Sequence, residues 1–248
     1  MPLLSVSFRE TITVSAEARG KHIRQLAGGG RYGDTLLTVE PLARGTGVEF
    51  ANALDPGRIP APFIADIAQG VIETIEEGVL AGFPLVDLRV TLRDGSYHHL
   101  HSTPLSFRVA ASIALHDAVV KASPIILTPV VKLEFTAAMG TQASLLRDIH
   151  RMNGIVLYSA ESEPGRIRIE ATLPLDALLE ARALEDAAGA SASFAPSAPC
   201  VFDWRGNFRM QFSHYERAPA ALQERLIREA ARQQTSGGAT PSGKKEMS

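Results

Sequence analysis

The spacing of apolar residues along the first half of the chain predicts an alternation of strands and helices. Weak alternation over residues 11–18, an apolar run at 35–39 and the stretch VEFANAL at 48–54 predict three strands. In VDLRVTLR, residues 86–93, apolar and polar side chains alternate without a break, which indicates a strand buried on one face. Two longer stretches repeat at three- and four-residue spacing and predict helices, with apolar stripes formed by Ile64, Ile67, Ala68, Val71, Ile72 and Ile75 and by Phe107, Ala110, Ala111, Ala114, Leu115, Ala118 and Val119.

The second half of the chain predicts a second domain, because the pattern restarts around residues 122–124. Its elements follow the order βαββαβ, which is the ferredoxin-like arrangement. A further amphipathic helix is predicted at 220–232, and the polar tail from 233 to 248 is expected to be disordered. The chain is therefore predicted to be an α+β protein of two domains. The six elements of the second domain are predicted at 125–135, 141–152, 155–160, 166–173, 176–188 and 207–214.

Composition narrows the possible functions only slightly. The chain has 248 residues, of which 45% are hydrophobic and 21% charged, so it can fill ordinary globular cores. The net charge of −2 means that nucleic-acid binding would need a local basic patch. The single cysteine, Cys200, excludes an intrachain disulfide and fits a reducing compartment. No apolar run could span a bilayer and no signal peptide begins the sequence, so we expect a cytoplasmic protein without a membrane partner.

The stretch KHIRQLAGGGRYGD, residues 21–34, combines consecutive glycines with cations and one aromatic ring between two predicted strands. A phosphate cradle, a mobile hinge and a finger that probes RNA would each use such chemistry. On the residues alone, a solvated hairpin loop whose cations keep it soluble is the simpler interpretation.

A second polar stretch, DGSYHHLHS at residues 94–102, raises the question of metal-dependent catalysis. His99 and His101 would share a strand face, but only Asp94 lies near enough in sequence to complete a ligand set. Asp34, Asp87 and Asp94 have no evident nucleophile or oxyanion motif beside them. We expect Asp87 on the polar face of a strand and Asp94 at a turn through Gly95, with no metal site and no catalytic residue.

Seven motifs follow one another along the chain: RETI at 9–12, GKHIRQ at 20–25, GGGRYGD at 28–34, LAGFPLVDL at 80–88, DGSYHHLHS at 94–102, FRVAASIAL at 107–115 and PIILTPVVKLE at 124–134. Motifs similar to these occur in the same order in the C-terminal half of bacterial elongation factor G. The chain resembles domains IV and V of that factor or of a paralogue. The resemblance implies a ribosomal protein S5 domain 2-like fold over residues 1–122. It implies a ferredoxin-like domain over 123–218, with an insertion near 187–205 in place of the family's TKGRASY stretch, followed by a C-terminal helix and tail at 219–248.

The resemblance also implies where RNA would bind. In the family, two tip loops of domain IV hold the codon–anticodon duplex, and residues 19–34 and 94–102 match them. The implied partners are the ribosome at its small-subunit decoding region and large-subunit stalk base, ribosomal RNA, and the mRNA–tRNA complex. The implied contact residues are Lys21, His22, Arg24, Gly28, Gly29, Gly30, Arg31, Tyr32, Gly33, Asp34, Ser96, Tyr97, His98, His99 and His101.

The charges of the two tip loops depart from the family pattern. Asp34 stands where the family usually has His, while His99 and His101 stand where it usually has two Asp. If the loops lie side by side, Asp34 is expected to face RNA and to pair with a protonated His99 or His101.

The chain contains no GxxxxGK[ST] phosphate loop, so neither a GTPase centre nor a cofactor is expected, and a GTPase half would be encoded upstream or separately. Three hypotheses follow. The chain is a ribosome-binding module of translation elongation that is not itself an enzyme, an RNA-binding module outside the ribosome, or a metal-dependent enzyme that uses the histidines.

Overall fold

A computed structural model describes residues 7–26, 29–180 and 208–237. The described residues fall into two compact units. The first lies within Phe8–Leu127 and Arg217–Ser248, and the second lies within Met1–Ser7 and Thr128–Glu216. The division follows residue 127, whereas the pattern of the sequence predicts a seam at 122–124. The C-terminal helix belongs to the first unit and is not a separate segment.

The first unit is built on a four-stranded sheet. Its strands have the spatial order β2-β3-β5-β4, and only the pair of β4 and β5 is parallel. Helix α1 connects β4 to β5, and helix α2 follows β5. The elements are β1 (Arg9–Thr11), β2 (Ala16–Leu26), β3 (Gly29–Pro41), β4 (Val48–Asn52), α1 (Ala61–Glu77), β5 (Leu88–Ser96) and α2 (Pro104–Lys121).

Both predicted helices of this unit form, and the predicted apolar stripe of α2 is buried at all seven positions. Thr103 caps α2 by accepting a hydrogen bond from the backbone N–H of Ser106 at 3.2 Å. In α1 the prediction for Ile72 is wrong, because its side chain is 47% exposed. Gly70 is buried instead, since the backbone of α2 at Arg108 lies against it and leaves no room for a side chain there.

Two further predictions for this unit are wrong. The strand predicted over residues 11–18 is two strands, because β1 ends at Thr11 and β2 begins at Ala16. Asp87 does not alternate on a strand face. It precedes β5 with a φ of 59°, is only 4% exposed, and accepts hydrogen bonds from the backbone N–H groups of Gly45 and Gly47 at 3.0 Å. A single buried carboxylate that binds the backbone of a turn does not change the spacing of apolar residues, so that spacing does not reveal it.

The second unit is a single antiparallel layer with helices. Strand β6 (Ile125–Ala138) pairs with β1 through its first residues and with β8 (Arg166–Pro174) from Val130 onward. Strand β7 (Ile155–Glu163) pairs with the other side of β8, and β9 (Phe208–Arg217) pairs with β6. The resulting order β9-β6-β8-β7 is the ferredoxin-like one, so the predicted α+β fold class is confirmed.

The helices of the second unit are α3 (Gln142–Arg151), which follows a short 3-10 helix at Met139–Thr141, and α4, which is described over residues 175–180. The rest of the predicted helix at 176–188, the insertion near 187–205 and the tail beyond 237 lie outside the described residues. Helix α5 (Ala220–Gly237) includes residues 233–237, which were predicted to belong to a disordered tail. Within the described ranges, no helix is long and apolar enough to cross a membrane.

A buried carboxylate holds the connection between α1 and β5. Glu10 is fully buried, and its Oε2 accepts hydrogen bonds from the backbone N–H groups of Val79 and Leu80 at 2.7 and 2.8 Å. Its Oε1 accepts from Ala81 and Phe83 at 2.7 and 3.1 Å. Four backbone donors thus satisfy one buried charge, which is how a buried carboxylate avoids the cost of lost hydration.

Close contacts at two glycines bring α2 against β2 and β3. A Cβ on Gly20 would overlap the carbonyl oxygen of Ala110, and one on Gly33 would overlap that of Ser106. Real Cβ atoms do not approach backbone atoms so closely, so only glycine permits this helix–sheet distance.

We predict that Glu10→Gln lowers the free energy of unfolding by about 2–4 kcal/mol, because an amide nitrogen would face two backbone N–H groups that then lose their acceptor. Urea denaturation followed by circular dichroism measures the change. Glu17→Gln, at an exposed position on β2, is the matched control and should change stability by less than about 0.5 kcal/mol. Equal stability of the two variants would contradict the role given to Glu10.

Gly33→Ala should lower the free energy of unfolding by about 1–3 kcal/mol, because the added methyl group collides with the backbone of α2 at Ser106. Gly140→Ala is the control, since a Cβ at Gly140 meets no atom within 4 Å. The same denaturation experiment distinguishes them. An unchanged midpoint for Gly33→Ala would show that α2 can move away from the sheet at little cost.

Candidate nucleic-acid interface

The glycine- and cation-rich stretch is a β-hairpin and not a loop. Strands β2 and β3 pair without interruption from Ala16 opposite Val39 to Leu26 opposite Gly29, and only residues 27–28 connect them. We call the part of this hairpin from Lys21 to Asp34 the tip hairpin. The prediction of a loop over 19–34 is therefore wrong. Its end carries polar side chains on both faces, so the alternation that marks a half-buried strand is missing from the sequence. Gly28 lies outside the described residues.

The pairing register distributes the predicted contact residues over the two faces of the tip hairpin. His22 and Arg24 alternate onto one face, where Arg24 lies directly opposite Arg31. We call these three residues the cationic face. Lys21 alternates onto the other face of the hairpin, as does Tyr32. The predicted cations are therefore not one patch.

The cationic face places like charges together. Arg24 and Arg31 are both exposed, and neither has a carboxylate partner among the ion pairs in the part of the chain that the structure describes. The pKa of His22 is held below its usual value by burial and by the neighbouring charges of Arg24 and Arg31. Like charges directly opposite each other in a β-ladder destabilise it, so an anion that binds between them would relieve this repulsion.

Asp34 lies inside the molecule, so its assignment as a residue that faces RNA is wrong. Its side chain is 3% exposed, and its Oδ2 accepts hydrogen bonds from Arg19 Nη1 at 2.9 Å and from Ser96 Oγ at 2.7 Å. The pairing expected with a protonated His99 or His101 does not occur, because the carboxylate is already bound to Arg19, a permanently charged side chain on the neighbouring strand β2.

The same network fixes Tyr32, Ser96 and Asp94. The Tyr32 hydroxyl lies 2.7 Å from Ser96 Oγ, which donates its own hydrogen bond to Asp34. Arg19 also binds Asp94, which accepts a second bond from Arg58 Nε at 3.0 Å. The backbone N–H of Gly95 and the Arg58 guanidinium lower the pKa of Asp94. Ser96 lies on β5 and Asp94 is bound by two arginines, so both are structural.

Two of the predicted glycines pack against other parts of the protein. Gly33 is buried against α2, which excludes it from direct RNA contact, and Gly30 lies beside the ring of His101. Gly29 begins β3. The expectation that these glycines let RNA approach the backbone is therefore wrong for Gly33, and the structure gives Gly30 a packing role.

Residues 97–103, which we call the histidine loop, are docked on the edge of β3. The backbone N–H of Tyr32 donates to the carbonyl oxygen of His101 at 2.8 Å, and that of Gly30 donates to His101 Nδ1 at 3.2 Å. Within the loop, Ser102 N–H donates to the carbonyl oxygen of His98 at 2.9 Å. The loop is thus held to the tip hairpin, and the two stretches that the sequence singled out lie together.

The histidines of this loop form a stack. The ring of His98 lies 5.0 Å from that of His99 with an interplanar angle of 13°, and 4.5 Å from that of His101 with an angle of 20°. Nδ1 of His98 accepts a hydrogen bond from the N–H of Leu100 at 3.3 Å, as Nδ1 of His101 does from Gly30. These lone pairs are directed at backbone, and among described residues no group of three or more His, Cys, Asp or Glu side chains is placed to hold a metal ion. The arrangement does not favour metal-dependent catalysis.

Three residues of this region were not predicted. Arg19 binds the buried Asp34, Arg58 binds the half-buried Asp94, and Ile23 is 58% exposed opposite Tyr32. The only sign in the sequence that Ile23 is exposed is its position between the polar residues His22 and Arg24. Nothing in the pattern connects Arg19 with Asp34 or Arg58 with Asp94, since both contacts depend on the sheet.

Known proteins resemble this chain over most of its length. Residues 4–123 match the family model for elongation factor G, domain IV. The chain is 35% identical over 228 residues to an elongation factor G-like protein of Thermotoga maritima, covering 92% of this chain and 32% of that protein. It is 34% identical over 224 residues to elongation factor G of Aquifex pyrophilus, covering 90% of this chain and 30% of that protein.

A crystal structure of a protein from Thermus thermophilus superposes with a TM-score of 0.73 at 30% identity, over 91% of this chain and 32% of that one. The chain thus spans about a third of the length of the relatives it matches. The resemblance drawn from the motifs between RETI and PIILTPVVKLE is confirmed. Residues 4–123 therefore belong to the elongation factor G domain IV family, and the chain as a whole is similar to about a third of elongation factor G and of an elongation factor G-like protein.

Proposed function

We propose that this module binds the ribosome through the tip hairpin and works in translocation or its regulation without GTP hydrolysis of its own. The observation that carries the proposal is the cationic face, where Arg24 and Arg31 lie opposite each other at the exposed end of a continuously paired hairpin. Two guanidinium groups without a carboxylate partner in the described residues are suited to phosphate oxygens. The family membership of residues 4–123 supports RNA of the ribosome as the source of those phosphates.

The proposed mechanism is mechanical. The first domain reaches the small-subunit decoding region, where the tip hairpin contacts ribosomal RNA and the mRNA–tRNA complex. The second domain contacts the large subunit near the stalk base. Because the whole chain carries a net charge of −2, attraction to RNA depends on local clusters of cations, and the cationic face at the tip would orient the protein as it approaches.

GTP hydrolysis would come from a GTPase half, encoded either upstream of these residues or separately, and the residues present here would need no cofactor. The relatives are about three times as long as this chain, and the residues present here correspond to about a third of them. In this proposal the chain works inside the cell in the cytoplasm and has no membrane partner.

Binding to ribosomes should fall steeply with rising salt, because each cation that contacts a phosphate releases counterions. Arg24→Ala combined with Arg31→Ala should weaken cosedimentation with ribosomes by about tenfold or more at low salt and flatten the salt dependence. The control is Arg93→Ala with Lys121→Ala, which removes the same charge from exposed positions elsewhere in the first unit.

Equal weakening by both double variants would show that only net charge matters and would contradict a role for the cationic face. Retention by free ribosomal RNA that equals retention by ribosomes would favour an RNA-binding function outside the ribosome. The comparison uses the full chain in every arm.

The electrostatic field of the cationic face can be measured through His22. Its pKa is lowered by burial and by the two arginines, so Arg24→Ala with Arg31→Ala should raise that pKa toward the usual value without fully reaching it. An NMR titration of the imidazole signals detects the shift. The Arg93→Ala, Lys121→Ala variant should leave the pKa of His22 unchanged. An unchanged pKa of His22 in the Arg24→Ala, Arg31→Ala variant would show that the two arginine side chains point away from the imidazole.

A further inference from the structure

The face of the tip hairpin opposite the cationic face presents rings. Tyr32 and Ile23 lie across from each other on it, and the ring of Tyr32 lies 6.5 Å from that of His98. His98 in turn stacks on His99, whose side chain is exposed. We call Ile23, Tyr32, His98 and His99 the aromatic face. Resting on the proposed function, we propose that the aromatic face binds an unpaired RNA base by stacking, with Lys21 beside it to meet a phosphate.

Tyr32 and the backbone of the histidine loop are held in place before any ligand arrives. The Tyr32 hydroxyl is hydrogen-bonded to Ser96, which is bound to the buried carboxylate of Asp34. The histidine loop is attached to β3 through backbone hydrogen bonds to both the carbonyl and the ring of His101. Side chains that are already ordered lose little conformational entropy on binding, so more of the stacking energy appears as affinity.

The hydrogen bonds also define the protonation of two of the imidazoles. Nδ1 of His98 and of His101 accept backbone N–H groups, so each ring carries its proton on Nε2 and is neutral in this arrangement. The His98 ring lies 4.5 Å from that of His101 and 5.0 Å from that of His99, distances at which planar rings stack. A stack of planar rings that ends at an exposed ring is a surface on which a planar base can lie.

Binding by stacking requires an unpaired or terminal base and not a base inside a duplex. A base inside a duplex has neighbours on both of its faces, whereas an unpaired or terminal base offers one face to a protein ring. Phosphates are exposed in both kinds of RNA, so Arg24 and Arg31 cannot distinguish them. The two faces of the tip hairpin would therefore have separate roles, in which the cationic face contributes affinity and the aromatic face selects single-stranded RNA.

The test uses the full chain and a short oligoadenylate that contains one 2-aminopurine, free or annealed to its complement. The single strand is expected to bind more tightly than the duplex, with quenching of the 2-aminopurine fluorescence. His99→Ala should weaken single-strand binding by about five- to a hundredfold, the range that loss of one stacking contact gives, and leave duplex binding unchanged. His99→Phe should retain the quenching, because a ring remains.

His116→Ala is the matched control, since His116 is an exposed histidine on α2 away from the aromatic face. The wild-type protein alone can overturn the inference. It does so if it binds the single strand and the duplex with equal affinity, or if the 2-aminopurine fluorescence is not quenched. Loss of affinity in His99→Ala that His99→Phe does not recover would also overturn it, because the ring would then not be the contact.

The outcome is separable from that of the proposed function. If the chain stacks on the oligonucleotide but does not cosediment with ribosomes, the aromatic face is supported and the proposed ribosomal role fails. If the chain binds ribosomes through Arg24 and Arg31 and shows no quenching, the ribosomal role is supported and the aromatic face fails.

Discussion

The distance between helix α2 and the sheet is the constraint from which the interface follows. At Gly20 and Gly33 the helix backbone occupies the space where a side chain would lie. The histidine loop ends where α2 begins, so the contact that fixes the first turn of the helix also places the loop along β3. If the helix lay farther from the sheet, the hydrogen bonds of His101 to β3 would break, and the rings of the loop would no longer lie beside Tyr32.

A buried acid supplies the second constraint. Asp34 is in the hairpin that we propose contacts RNA, where an exposed carboxylate would repel phosphates. The structure removes this conflict by turning the side chain inward onto Arg19 and Ser96. Compared with the family pattern, this chain has a carboxylate at Asp34 and histidines at His99 and His101. Because Asp34 is buried, this change does not place a negative charge on the surface of the tip hairpin. The carboxylate has become part of the support of the tip, while His99 remains at the surface.

Alternation along a strand separates two kinds of chemistry over a few residues. His22 and Arg24 lie on one face of β2, and Lys21 and Ile23 lie on the other. One face can then be positively charged while the other carries rings, although the chain as a whole is slightly acidic. Such a division needs a rigid hairpin, since in a flexible loop the same residues would mix and neither face would be defined.

The sequence by itself determined the fold class, the family and the two stretches that make up the candidate interface. Helix α2 and the βαββαβ order follow from periodicity, because burial of a stripe or a face requires a regular spacing of apolar residues. The family follows from several motifs in register. Tertiary structure alone decided which residues face solvent. The resemblance places Asp34, Ser96 and Gly33 among the contact residues, but Asp34 and Gly33 are buried and the half-buried Ser96 donates a hydrogen bond to Asp34. The partners of a buried polar residue lie apart from it in the sequence and do not affect the spacing of apolar residues. The Asp34–Arg19 pair and the histidine stack could therefore be recognised only in the folded structure.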